Sequence, residues 1–157
     1  MPIDSPEIVQ LPAQPTAIIR FIIPRAQIRE IMQPGIEELM ATVKAQLIGP
    51  TGPVFSHHLR LDPAQFDFEL GVPVSAPVTP HGRVHPGMLP AGRAARTIYR
   101  GPYEGLGAAW EEFDRWIVGG GYIPAPNLWE RYLTAPGARP EDTATELVRP
   151  ALDRPAP

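Results

Sequence analysis

The sequence contains no cysteine. That excludes a disulfide framework, a thiol nucleophile and every cysteine-ligated metal site, and it fits a cytoplasmic protein. No apolar run approaches membrane-spanning length, and the start, MPIDSPEIVQ, lacks the basic residues and apolar stretch of a signal peptide. Charge is scarce: 14 basic against 17 acidic residues leave a net charge of −3. Such a balance offers no general attraction for nucleic acid or an anionic membrane. Lysine is nearly missing too, with Lys44 alone beside 13 arginines, a sign of a GC-rich genome and not of function. There is neither a phosphate loop nor a serine-nucleophile elbow: Gly119-Gly120-Gly121 has no Lys-Ser/Thr after it and ends a helix instead of opening one. No cofactor is called for.

What is present is enough for one compact domain of 157 residues, 43% of them hydrophobic. Twenty-two prolines and 14 glycines fall between apolar runs, so the chain reads as many short elements separated by turns. It also reads as one unit written twice. Leu11-Pro12-Ala13 recurs as Leu89-Pro90-Ala91, and at the same offset of 78 Ala17 meets Ala95, Phe21 meets Tyr99 and Pro24 meets Pro102. Repeat 1 covers about 7–74 and repeat 2 about 84–150, with 1–6 and 151–157 as loose tails.

In repeat 1, Thr16–Ile23 is a β-branched strand. Pro34 then opens a helix with the stripe Ile36, Leu39, Met40, Val43, Leu47, closed by Gly49-Pro50. Strands at Val54–Leu59 and Phe66–Val72 follow. Repeat 2 has a strand at Arg93–Tyr99, then a helix opened by Pro102. That helix carries Leu106, Trp110, Phe113 and Ile117, with Ala109 and Trp116 beside them. Strands at Leu128–Leu133 and Thr145–Val148 complete the copy. Leu11-Pro12 and Met88-Leu89 close a further short strand at the front of each half. This order predicts an α+β fold: a tandem duplication with a curved antiparallel sheet, two helices on one face and a central groove on a pseudo-twofold axis. A single continuous sheet without a cleft is the alternative.

Alternation along the strands divides Glu130, Tyr132, Ser56 and His58 from Trp129, Leu133, Phe55 and Leu59. The bulky apolar pairs are expected against the helices and the polar set near the axis. A carboxylate beside aromatic rings is partly desolvated and costly unless compensated. A cationic ligand compensates it, because ring faces attract the same positive charge by about 0.5–2 kcal/mol each. A surface glutamate paired with an arginine fits the same pattern. Trp110, Phe113 and Trp116 have core spacing; Tyr103 is either a groove wall or a helix-start packing residue. Asp67 and Glu69 read as the solvated face of a strand whose other face is Phe66, Phe68 and Leu70. His57-His58 and His81/His85 lack the geometry of a metal site, so no metal is expected.

Leu89-Pro90-Ala91-Gly92, Gly101-Pro102-Tyr103 leading to Trp116, Trp129-Glu130-Arg131-Tyr132-Leu133, and Phe66-Asp67-Phe68-Glu69-Leu70-Gly71-Val72-Pro73-Val74 together resemble the GyrI-like effector-binding domains. These are the small-molecule-binding modules of MerR-type multidrug activators and some AraC-type bacterial transcription regulators, found also free-standing. The resemblance spans about residues 7–150 and implies a duplicated βαββ unit of the SHS2 type with a central pocket. In many members a buried glutamate of an E-x-Y strand faces lipophilic cations; that role falls on Glu130, with Tyr132 as the motif tyrosine. The expected ligand site is therefore Glu130 as anchor, Tyr132, Tyr103 and Trp110 as aromatic walls, and Ser56 and His58 as polar contacts. Two departures stand out. The duplicated unit starts by about residue 8, leaving no helix-turn-helix ahead of it, so no direct nucleic-acid binding is expected. Tyr99-Arg100 stands where many relatives place a histidine.

Three functions follow as expectations. The first is sensing or sequestration of a small lipophilic molecule, cationic or aromatic, in a central pocket with Glu130 as anchor. The second is hydrolysis of electrophilic, cyclopropane-bearing molecules, as in some free-standing relatives: Glu130 is the acid or base, with a pKa raised by its apolar pocket, and Tyr132 or Tyr103 the donor. The third is a protein partner, the gyrase-inhibitor role that names the family.

Overall fold

The computed structural model describes residues 3–134 and 138–154. In chain order its elements are β1 (Glu7–Leu11), β2 (Gln14–Pro24), α1 (Ile28–Ala45), β3 (Phe55–Leu61), β4 (Gln65–Pro73), β5 (His85–Leu89), β6 (Gly92–Arg100), α2 (Leu106–Gly119), β7 (Tyr122–Pro124), β8 (Leu128–Tyr132) and β9 (Ala144–Asp153). Single 3-10 turns stand before each helix and at Pro140–Asp142. This is the expected α+β architecture of antiparallel strands with two helices. The chain forms two compact units, one of Pro12–Ala91 and the other of the chain up to Leu11 with the chain from Gly92 on.

Within the first unit the strands run in the order β3-β4-β2-β5; within the second the order is β1-β6-β9-β8, with β7 on β9. The short front strands have changed places relative to the repeat boundaries. β1 pairs with β6 (Ile8 opposite Ala95) and β5 with β2 (Thr16 opposite Gly87). The cause is in the connectors, Pro12-Ala13 and Pro90-Ala91. The favoured two-residue hairpin turns, types I′ and II′, have φ > 0 at the first residue, which proline's ring forbids. Each connector therefore disfavours a tight hairpin with the strand that follows.

α1 starts six residues before Pro34, which lies inside the helix. Ile28, Ile31 and Met32 pack on the core of Ala17, Ile19, Phe21, Leu39, Val43, Phe68 and Leu70, and this contact holds the turns ahead of the proline. α2 follows the turn Tyr103–Gly105 and buries Ala109, Phe113 and Ile117 against Ala95, Tyr99 and Leu147. The expected tails are tied down where they are described. The Asp4 amide donates to the Ile98 carbonyl at 2.8 Å and Thr97 Oγ1 donates to the Asp4 carbonyl at 2.7 Å. Residues 151–153 pair with β7, a strand that the glycine run hid in the sequence. Asp67 is not on a solvated face: it is buried between Arg20 and Arg60, each at 3.1 Å, and Arg20 above all holds its carboxyl below the usual range.

At Gly71 three strands crowd together. A Cβ there would lie 2.7 Å from the Ala17 carbonyl oxygen, 2.7 Å from Phe55 and 2.8 Å from Ile18. The carbonyl belongs to the β2–β4 ladder and cannot step aside. Gly71→Ala is therefore expected to destabilise by about 1–3 kcal/mol, read as a fall in thermal midpoint of about 2–12 °C for a chain of this size.

Candidate functional site

β8 is the short strand Leu-Trp-Glu-Arg-Tyr, and its register on β9 decides what each side chain meets. Trp129 is opposite Val148, Glu130 opposite Leu147, Arg131 opposite Glu146 and Tyr132 opposite Thr145. Directly opposed residues share a face of the sheet. Leu147 belongs to the core that α2 covers, so Glu130 and Tyr132 face α2. Trp129 and Arg131 face the other way. Arg131 and Arg96 both bind Glu146, the latter at 2.6 Å, and Arg96 also holds Glu7 at 2.6 Å. Burial opposes ionisation of Glu146, but the two arginines outweigh it and hold its carboxyl below the ordinary value. The arginine next in sequence to Glu130 is thus committed to another carboxylate.

Glu130 is held instead by aromatic donors. The Trp110 indole N–H, from α2, donates to Oε2 at 2.7 Å, and the Tyr132 hydroxyl donates to Oε1 at 2.9 Å. Both lengths lie in the ordinary range for N–H···O and O–H···O hydrogen bonds. Burial pushes the Glu130 carboxyl above its ordinary value of 4.5; the two donors pull the other way and do not cancel it. The residue as a whole is only half-buried. Tyr103 stands edge-on to Tyr132, with ring centroids 6.1 Å apart, and is 49% exposed. Burial first, then the negative charge of Glu130, raises its phenol pKa. Trp110 is backed by the fully buried Phe113, 5.7 Å between centroids. A carboxylate with three ring systems around it suits a diffuse positive charge better than a small hydrated one.

Four of the six predicted site residues are thereby brought together: Glu130, Tyr132, Tyr103 and Trp110. Trp116 is on the exposed side of α2. Ser56 and His58 are in the other unit, and in both units the expected facing is reversed, Glu130 and Tyr132 turning toward α2. Ser56 lies opposite Leu70 and His58 opposite Phe68, both in the core against α1. His58 stacks on Phe68 at 5.2 Å and meets the edge of Phe66 at 5.4 Å. Burial, with smaller contributions from His57 and Arg25, lowers its pKa to about 4; at neutral pH it is an uncharged core ring. The same reversal moves Phe55 and Trp129 away from the helices. Size could not assign the faces because both are covered: Phe55, Ser56, Leu128 and Trp129 are all buried.

One residue at this site was legible only as a departure from the family pattern. Tyr99, 3% exposed, ends β6 within the α2 core, and its hydroxyl donates to the Pro102 carbonyl at 2.7 Å. The signal lay in Gly101-Pro102-Tyr103-Glu104-Gly105, whose glycines leave room for that hydroxyl.

In structural comparisons, the chain is similar to EcmrR. It superimposes on that protein's C-terminal domain with a TM-score of 0.82 at 19% identity, covering 96% of this chain and 98% of the other. In the cryo-EM structure of an EcmrR–DNA complex the TM-score is 0.83 at 19% identity, and 98% of this chain spans 59% of EcmrR. A hydrolase from Listeria innocua matches with a TM-score of 0.66 at 14% identity over 93% and 91% of the two chains. SAV2435, solved bound to tetraphenylphosphonium, matches with 0.64 at 13% over 94% of each. At these identities the likeness establishes the fold alone. No curated protein matches in sequence. The family model for the GyrI-like small molecule binding domain matches residues 4–151. With nearly the whole chain matched and the fold in agreement, this protein belongs to the GyrI-like small-molecule-binding family.

Proposed function

We propose that the protein binds lipophilic aromatic cations, with Glu130 as the charge anchor and Trp110, Tyr132 and Tyr103 as the surrounding walls, and serves to sense or sequester them. The observation that carries this reading is the Glu130 carboxyl itself. Its pKa is raised by burial, two aromatic donors serve it, and among the described residues no arginine, lysine or histidine forms an ion pair with it. A ligand cation relieves the desolvation that the fold imposes. SAV2435, similar in fold, has been solved with such a cation.

Trp110 makes the test direct, because its indole N–H touches the anchor. Titration with tetraphenylphosphonium is expected to change tryptophan emission saturably. Triphenylphosphine oxide, with similar rings and no net charge, is expected to bind at least about tenfold more weakly. Equal affinity for the two would mean that the carboxylate anchors nothing.

Hydrolysis of electrophilic small molecules is the second reading, favoured by a carboxyl of raised pKa with a phenol hydroxyl 2.9 Å away. Glu130 there protonates the substrate or activates water, with Tyr132 as the donor. Mass spectrometry of cyclopropane-bearing electrophiles incubated with the protein separates the two. More than one equivalent consumed, lost in Glu130→Gln, supports the enzyme; no turnover counts against it.

A further inference from the structure

From the clasp between β6 and the turn before α2, we infer that Tyr99 is a positioning residue. Its hydroxyl fixes the Gly101–Gly105 turn and so sets Tyr103 as the outer wall of the Glu130 site. The inference rests on the cation-binding reading for its ligand arm, but not for its structural arm.

Tyr103 has little to hold it by itself. It is 49% exposed, lies in a single 3-10 turn of Tyr103–Glu104–Gly105, and meets Tyr132 edge-on. The turn is anchored from beneath. The Pro102 carbonyl accepts from both the Tyr99 hydroxyl, at 2.7 Å, and the Gly105 amide, at 3.0 Å. The Tyr99 oxygen therefore sits under the middle of the turn. A Cβ at Gly101 would lie 2.9 Å from that oxygen, and a Cβ at Gly105 would overlap it. A second tether ties the same turn to the start of β9: the Gly101 amide donates to the Thr143 carbonyl at 3.0 Å, and Thr143 Oγ1 donates to the Gly101 carbonyl. The tether fixes the N-terminal end of the turn. The Tyr99 hydroxyl reaches further in, to the Pro102 carbonyl next to Tyr103.

The ring and hydroxyl of Tyr99 have separable roles. The ring packs among Ala95, Phe113 and Leu147, where phenylalanine fills the same space. The hydroxyl is a single hydrogen bond, whose loss costs little stability but frees the turn to shift. In a site that recognises ligand by ring contact, a displaced wall weakens binding without unfolding anything.

The test compares wild type, Tyr99→Phe, Tyr103→Ala and the double variant. In the ligand-free protein, ring-to-ring NOEs between Tyr103 and Tyr132 are expected in wild type and lost or averaged in Tyr99→Phe. In tetraphenylphosphonium titrations, Tyr99→Phe is expected to weaken affinity about three- to tenfold alone and not at all on top of Tyr103→Ala. A core role would give the same loss in both backgrounds. Gly105→Ala adds a rescue arm: it is expected to weaken binding in wild type and to do less harm alongside Tyr99→Phe, which removes the overlapping oxygen. Undisturbed Tyr103–Tyr132 NOEs in Tyr99→Phe, or losses that add, overturn the inference. Should wild type fail to bind the cation, the functional reading falls, and the NOEs alone decide the role of Tyr99.

Discussion

Glu130→Gln is expected to weaken tetraphenylphosphonium binding by about ten- to a hundredfold, or roughly 1.4–2.7 kcal/mol. The substitution keeps the shape and removes the charge. What remains is attraction by the rings of Trp110, Tyr132 and Tyr103, about 0.5–2 kcal/mol each, so binding falls without vanishing. The same variant makes a pH prediction of fixed sign. The folded-state pKa of Glu130 is raised above its ordinary value of 4.5, so the native protein holds a proton that the unfolded chain has released. Stability from this group is complete below about 4.5 and is lost as pH rises through the elevated folded-state value. Glutamine does not titrate. The thermal midpoint of Glu130→Gln minus that of wild type is therefore expected to increase with pH across this window, whatever constant offset the altered hydrogen bonds to Trp110 and Tyr132 introduce. Cation affinity of wild type is expected to climb over the same range, because only the ionised carboxyl attracts the ligand. A flat difference in midpoint and pH-independent affinity would place Glu130 in contact with water rather than under the rings.

Phe113→Ala is expected to have the largest effect on stability, about 3–5 kcal/mol, which for a chain of this length is a fall in midpoint of roughly 6–20 °C. Phe113 is fully buried and centres the core between α2 and β6–β9, with Ala109, Ile117, Tyr99 and Leu147 around it. It also backs Trp110, the donor to Glu130. The cavity left behind loosens the indole, so cation affinity is expected to fall at temperatures where the variant is still folded. Differential scanning calorimetry with a titration well below the midpoint measures both. Loss of stability with full affinity would mean that Trp110 is held by Glu130 alone.

Much of the architecture was legible in the sequence because its signals are local. The apolar stripe of α2, the β-branched run of β2 and the alternation in β4 each report on a backbone that forms them within a few residues. The repeat offset added what local signals lack, an order of elements common to both halves. Pro34 misled as a helix opener because contacts of Ile28, Ile31 and Met32 with the core hold two turns ahead of it. The prolines of Pro12-Ala13 and Pro90-Ala91 did carry the information that the front strands would not readily fold back, but read as repeat markers at the ends of those strands they left the exchange unseen.

The site divides in the same way. By itself the sequence determined that Glu130 and Tyr132 share a face of one strand, because alternation is a property of the extended backbone. It also put Trp110 in the apolar stripe of α2 with Leu106, Phe113 and Ile117; the structure buries Ala109, Phe113 and Ile117 and leaves Trp110 beside them. Only the tertiary structure decided which face meets the helix. Ser56, His58, Glu130 and Tyr132 turn toward α1 or α2, while Phe55 and Trp129 turn away, because the register on β4 and β9 is set by distant partners and both faces are buried. Hydrophobicity tells a buried face from a wet one; it cannot choose between two buried ones.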